Sequence, residues 1–110
     1  MNARTFTRKK QVLESRIERA CVDKAKDLGW LARKMNGLGF RSWPDRLFIP
    51  PAWLVKLGRG KSIWVEFKRS GEVPTPDQLR IHADLRARGE EVHVFDNREA
   101  FFAFIASRSE

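Results

Sequence analysis

The sequence holds one cysteine, Cys21, and no tyrosine. A lone thiol excludes an internal disulfide, and with only two histidines it also excludes a cysteine-rich zinc site. Cys21 falls among apolar helical positions, so it reads as packed core rather than as a nucleophile. His82 and His93 have no partner at ligand spacing. Both read as structural or surface residues, with His82 the one candidate to touch a substrate. No apolar run approaches the roughly 20 residues of a membrane span. The opening "MNARTFTRKKQVLESR" lacks the apolar core of a secretory signal. The expected setting is cytoplasmic, with no membrane partner.

Acidic residues are also scarce: 14 Asp plus Glu stand against 22 Lys plus Arg, a net charge of +8 on 110 residues. An excess of that size on one small domain favours a polyanionic partner, because phosphates neutralised by cations release their counterions. The basic residues are spread out: Arg4, Arg8, Lys9 and Lys10; Arg33 and Lys34; Lys56, Arg59 and Lys61; Arg86 and Arg88. Charge alone therefore leaves a solvated surface as open as nucleic acid.

Residues 1–10 are polar and basic and are expected to be a flexible terminus, with residues 11–110 forming a single domain. From Gln11 to Leu28, apolar Val12, Ile17, Ala20, Cys21, Ala25 and Leu28 recur at helical steps, and Gly29 is the natural stop. "WLARKM" (30–35) and "DRLFI" (45–49) read as strands around a glycine-bearing loop, and "AWLVKLGRGK" as a connection. "SIWVEFK" (62–68) is the clearest strand, with Ile63, Val65 and Phe67 on one face and Trp64, Glu66 and Lys68 on the other. Thr75 caps a helix that opens at Pro76 and runs to about Arg88. "EVHVF" (91–95) is a strand and "REAFFAFIAS" (98–107) a closing helix. The expected class is α/β in the order α-β-β-β-α-β-α, a small central mixed sheet flanked by helices. The helix between the last two strands has the length of a parallel crossover.

Glu66 and Lys68 leave the same face of their strand, roughly 6–7 Å apart along its rise. Asp45 opens the preceding strand directly after a proline, and adjacent strands lie about 4.8 Å apart. Asp45 and Glu66 can thus converge at one end of the sheet. Two carboxylates, joined by the backbone carbonyl of Phe67, suit a hard divalent cation. Without a cation one of them would tend to protonate. Lys68 beside them can orient an attacking water or offset charge on a phosphate.

"WPDRLF", then "WVEFKRSG", then "PTPDQLRIHADLRARGEEVHVF" resembles the PD-(D/E)xK nucleases, and among them the small phage and bacterial members of the VRR-NUC family. The resemblance covers residues 14 to about 96. "GFRSWPD" sets its glycine further from the Pro-Asp pair than the usual form. The resemblance implies a restriction-endonuclease-like core, a Mg2+ or Mn2+ cofactor on Asp45 and Glu66, and Lys68 assisting the nucleophile. It implies that Gln78 lies near the scissile phosphate or steadies Lys68. The first helix would supply a further acid, bound to a water on the metal or to a second metal. Glu14 is preferred, and Glu18, one turn on, is the alternative. The activity implied is hydrolysis of DNA phosphodiester bonds, in its sharpest form resolution of four-way junctions by a homodimer in the bacterial cytoplasm. The alternatives are a nicking or flap nuclease and a non-catalytic DNA-binding module. Arg33, Lys34, Arg41, Arg46 and Arg69 are the candidate DNA contacts. Trp53, Leu54 and Leu57, with Phe101, Phe102 and Phe104, are candidates for the dimer surface, unless Trp53 and Leu54 simply roof the sheet.

Overall fold

A computed structural model describes residues 3–37 and 39–110, with side chains from residue 12 onward. The elements are α1 (Ala3–Asp27), β1 (Leu31–Lys34), β2 (Arg46–Ile49), α2 (Ala52–Lys56), β3 (Ile63–Phe67), α3 (Pro76–Ala87), β4 (Val92–Phe95) and α4 (Arg98–Arg108). One sheet holds the four strands in the order β1-β2-β3-β4. The first two pairings are antiparallel and β3 with β4 is parallel, with α3 as the crossover. This is the mixed α/β sheet expected from the sequence.

Two elements differ from the sequence reading. α1 begins at Ala3 rather than Gln11. Residues 3–11 contain neither glycine nor proline, so the helix continues past its apolar stripe, which is the only signal periodicity detects. The side chains of Arg4, Arg8, Lys9 and Lys10 lie outside the described residues. The connection after β2 contains α2, a five-residue helix that follows Pro51 and anchors Leu54 in the core.

The strand alternation of β3 separates two layers. Ile63, Val65 and Phe67 face α1 and α4, where they join Cys21, Val22, Ala25, Phe48, Leu54, Phe101 and Ile105. Trp64 faces α3 and packs with Leu85 and Val92, flanked by Met35, Trp43, Leu47 and Ile81. Each large apolar side chain buried this way contributes roughly 1.5–3 kcal/mol before entropy is charged against it. Cys21 is fully buried in the larger layer, and burial pushes its thiol up to about 12, which suits packing and not nucleophilic chemistry. α1 stops where the backbone turns left-handed at Gly29 (φ 92°), with Trp30 N–H bonded to the Ala25 carbonyl at 3.0 Å. The chain is thereby returned as β1 along the helix it has just left.

Several candidate dimer residues are accounted for within the monomer. Leu54 and Phe101 are fully buried, so Leu54 does roof the sheet. Phe102 is half-buried within the monomer. α1 lies beside α4, so Phe102 packs against the core and takes the Lys24 ammonium 5.8 Å from its ring centre. Phe104 likewise packs on the core, beneath the Arg108 guanidinium at 4.9 Å. Trp53 and Leu57 remain exposed. Among the described residues no helix is long and apolar enough to cross a membrane.

Candidate active site

The antiparallel register of β2 and β3 pairs Arg46 with Val65, which sets Asp45 opposite Glu66 where β2 begins and β3 ends. Asp45 is held from three directions. Its Oδ2 accepts the Phe67 N–H at 2.6 Å, its Oδ1 accepts from the Asn36 amide, and its carbonyl accepts the Met35 N–H at 2.9 Å. The carboxylate that precedes β2 is thus tied to the backbone of β3. The Lys68 N–H bonds the Phe95 carbonyl at 2.9 Å, which secures the end of β3 against β4.

Glu66 is 2% exposed and lies at the centre of a group of side chains. Lys68 Nζ lies 3.8 Å from its Oε2, and the amide of Gln78 donates to the same oxygen at 3.3 Å. Nε2 of His82 lies 3.3 Å from Oε1. Gln78 and His82 come from α3, four residues apart and so on one helical face. The cap of α3 aims that face: Thr75 Oγ1 accepts the Gln78 N–H at 3.2 Å while Gln78 Oε1 accepts the Thr75 N–H at 2.9 Å. The sequence therefore brings Asp45, Glu66, Lys68 and Gln78 together as expected.

His82 is the residue whose placement sequence reasoning missed. It is fully buried against Glu66, and its Nδ1 has no hydrogen-bond partner among the described residues. Burial, helped by the charges of Arg86 and Lys68, holds its pKa below the usual histidine value, so the ring is neutral at pH 7. The neutral tautomer with its proton on Nε2 would donate to Glu66 Oε1 once that carboxyl is ionised, the form a bound cation favours. The other tautomer would bury an unsatisfied N–H and turn a lone pair toward the carboxylate. The four-residue step from Gln78 was the available signal.

The two carboxyl groups are costly to ionise together. Burial raises Asp45 to about 6; the Phe67 N–H and the charges of Lys34 and Lys68 pull it down, and Glu18 pushes it up. Burial raises Glu66 to about 8, aided by the charge of Asp45, a hydrogen bond with Asp45 and the charge of Glu14, and opposed by Lys68. A divalent cation between them would reverse that cost. The donor set fits magnesium or manganese better than zinc. The groups brought together at the sheet end are two carboxylates, Asp45 and Glu66, beside the backbone of Phe67, all oxygen donors. In a strand, a residue's N–H and C=O leave by the same edge, so the Phe67 carbonyl lies on the Asp45 side with its N–H.

The acids of α1 part company. Glu14 acts on Glu66, whereas Glu18 acts on Asp45 and has its Oε2 engaged by Arg46 Nε at 2.6 Å and Lys34 Nζ at 3.7 Å. Of the candidate DNA contacts, Lys34 and Arg46 thus converge on Glu18, and Arg69 Nε bonds Glu72 at 2.9 Å. Arg33 and Arg41 are exposed on β1 and on the loop before Asp45, apart from that cluster.

No family model matches the chain. A protein named "Putative nuclease p44", from Acyrthosiphon pisum secondary endosymbiont phage 1, is 42% identical over 88 residues, which is 80% of this chain and 87% of that protein. A solved structure described as a "VRR_NUC domain" superposes with a TM-score of 0.70 at 31% identity, covering 84% of this chain and 94% of its own. With the motif acids and lysine gathered at one sheet end, these likenesses place the chain in the VRR-NUC family of nucleases.

Proposed function

We propose that the protein is a metal-dependent endonuclease that hydrolyses DNA phosphodiester bonds, with four-way junctions as its preferred substrate. The observation that carries this reading is the buried pair Asp45 and Glu66, both raised above the usual carboxylate range, with the Lys68 ammonium 3.8 Å from Glu66. A structural ion pair needs one carboxylate, not two pressed together in a desolvated site.

Asp45, Glu66 and the Phe67 carbonyl would hold Mg2+ or Mn2+, and Glu14 would serve as the outer acid or at a second cation. The cation supplies positive charge that favours ionisation of a water and draws charge from the phosphate. Lys68 orients the attacking water and offsets the charge the phosphate gains. Gln78 bonds Glu66 Oε2 and keeps that oxygen turned toward Lys68. The phosphate approaches beside the first turn of α3, whose N–H groups face an anion favourably.

Selectivity for branched DNA and paired cutting suits a homodimer, since two-fold symmetry offers one site to each of two equivalent strands. Exposed Trp53 and Leu57, in and just after α2, are the remaining apolar candidates for its surface. The test is cleavage by purified protein with magnesium or manganese on a panel of duplex, flap, splayed and four-way DNAs. Preferential paired cutting of the four-way junction supports the reading. Equal nicking of every substrate favours the looser nicking nuclease, and no cleavage of any substrate favours a DNA-binding module.

A further inference from the structure

A groove of about 680 Å3 lies on the α1 side of the sheet, just past the sheet end that carries Asp45 and Glu66. One wall is α1, where positions 16, 19, 23 and 26 recur at three- and four-residue steps. Arg16, Arg19, Asp23 and Lys26 therefore form a single stripe down that wall. The opposite wall is the end of the sheet, where Lys34 of β1 and Arg46 of β2 are register partners. Both extend on the α1 face, the face shared by Ala32 and Phe48, whereas Asp45, one residue before Arg46, extends on the other. The groove and the active site thus lie on opposite faces of the same strand end.

Like charges do not gather in a concave surface unless something holds them. Here Glu18, in the groove, binds Arg46 at 2.6 Å and Lys34 at 3.7 Å and keeps the two cations together. Glu18 and Asp23 leave the groove with an excess of positive charge, since five cationic side chains line it. Arg16 to Lys26 spans about 15 Å of helix, the length over which one DNA strand presents about four phosphates.

We propose that this groove holds the DNA backbone that flanks the cut, so that a strand passes the Asp45–Glu66 site, rounds the end of the sheet and continues along α1. The proposal rests on the DNA-cleaving function given above and specifies the path of its substrate. Arg16, Arg19 and Lys26 act on the backbone as a track of charge and carry no base specificity. Their exposure in the protein alone is what such a track requires, because each must exchange water and counterions for phosphate.

The test is equilibrium binding of a fluorescent four-way DNA junction in chelator, where no strand is cut, measured across a series of salt concentrations. A triple variant Arg16→Gln, Arg19→Gln, Lys26→Gln is compared with a control triple Lys56→Gln, Arg59→Gln, Lys61→Gln. The two carry the same change in net charge, and all six positions are exposed, so both should fold as wild type by circular dichroism. The groove variant is expected to bind more weakly, with its plot of log affinity against log salt shallower by about 2–3 units. The control is expected to keep the wild-type slope. An unchanged slope in the groove variant, or an equal loss in both triples, overturns the proposal while leaving the nuclease reading intact. A flat salt response in the wild type instead overturns the DNA reading on which the proposal stands.

Discussion

The side-chain carbonyl of Gln78 accepts the N–H of Thr75 at 2.9 Å, and this bond decides which end of the Gln78 amide faces Glu66. The helix cap and the active site share one side chain. Gln78→Glu preserves the capping pattern, since glutamate serves that position as well as glutamine, but it replaces the amide donor with a third carboxylate beside Glu66 and Asp45. The variant should retain α3 and melt close to wild type, yet lose on the order of 10–100-fold in cleavage rate, the usual effect of removing a group that orients a metal ligand. Wild-type cleavage by a folded Gln78→Glu protein would remove Gln78 from the site.

His82 holds the other oxygen of Glu66. Its Nε2 lies 3.3 Å from Oε1, while Oε2 faces Lys68 and Gln78, so the ring fixes how the Glu66 carboxyl is turned. His82→Ala should weaken Mn2+ binding, read by calorimetry on folded protein, by on the order of 10–100-fold. His82→Gln, whose amide nitrogen reaches about where Nε2 stands, should recover part of that loss. Equal Mn2+ affinity in wild type and His82→Ala would leave His82 a packing residue only.

The raised carboxyl groups predict how stability depends on pH. Asp45 rises from 3.8 to about 6 and Glu66 from 4.5 to about 8 on folding. The folded state then binds protons more tightly than the unfolded chain, so the stabilisation is fully present below about pH 4 and is lost as pH rises through 6 and then 8. In chelator the contribution of this pair should fall across that window by on the order of a few kcal/mol. Magnesium or manganese should therefore raise the melting temperature far more at pH 8 than at pH 5. A metal-induced shift of equal size at both pH values would contradict the assignment of the cation to this pair.

Much of this site is legible in the sequence, for local reasons. Alternation along "SIWVEFK" places Glu66 and Lys68 on one face, and the short strand after Pro44 brings Asp45 level with Glu66 on the neighbouring strand. What escaped depends on contacts between distant segments. His82 gains its meaning only when α3 docks over β3. Phe102 lies off the apolar stripe of its own helix and is covered by a different one. Glu14 and Glu18 look equivalent on one helix face until β1 and β2 bring Lys34 and Arg46 onto Glu18. Residues 3–11 carry no apolar period, so the early start of α1 is invisible to that signal.

Assembly is open to a direct test at α2. Trp53 is 50% and Leu57 59% exposed, so charge introduced there should not disturb the core. Wild-type protein should sediment as a dimer at micromolar concentration and make paired cuts in a four-way junction. Trp53→Glu with Leu57→Glu should sediment as a monomer and release nicked products. A monomeric wild type that still makes symmetric paired cuts would contradict the two-fold arrangement.

Removing Lys68 probes a metal-dependent phosphodiesterase site at Asp45, Glu66 and Lys68 most sharply, because it leaves both proposed metal ligands in place. Cleavage of a four-way DNA junction in magnesium should be compared for wild type and Lys68→Ala, with circular dichroism to confirm folding and junction binding measured in chelator. Wild type is expected to cut, and Lys68→Ala to fold, bind and lose about 100–1,000-fold in rate, the cost of deleting one preorganised charge-stabilising group. Cutting at the wild-type rate by Lys68→Ala would exclude Lys68 from the chemistry and with it this site as the phosphodiesterase centre.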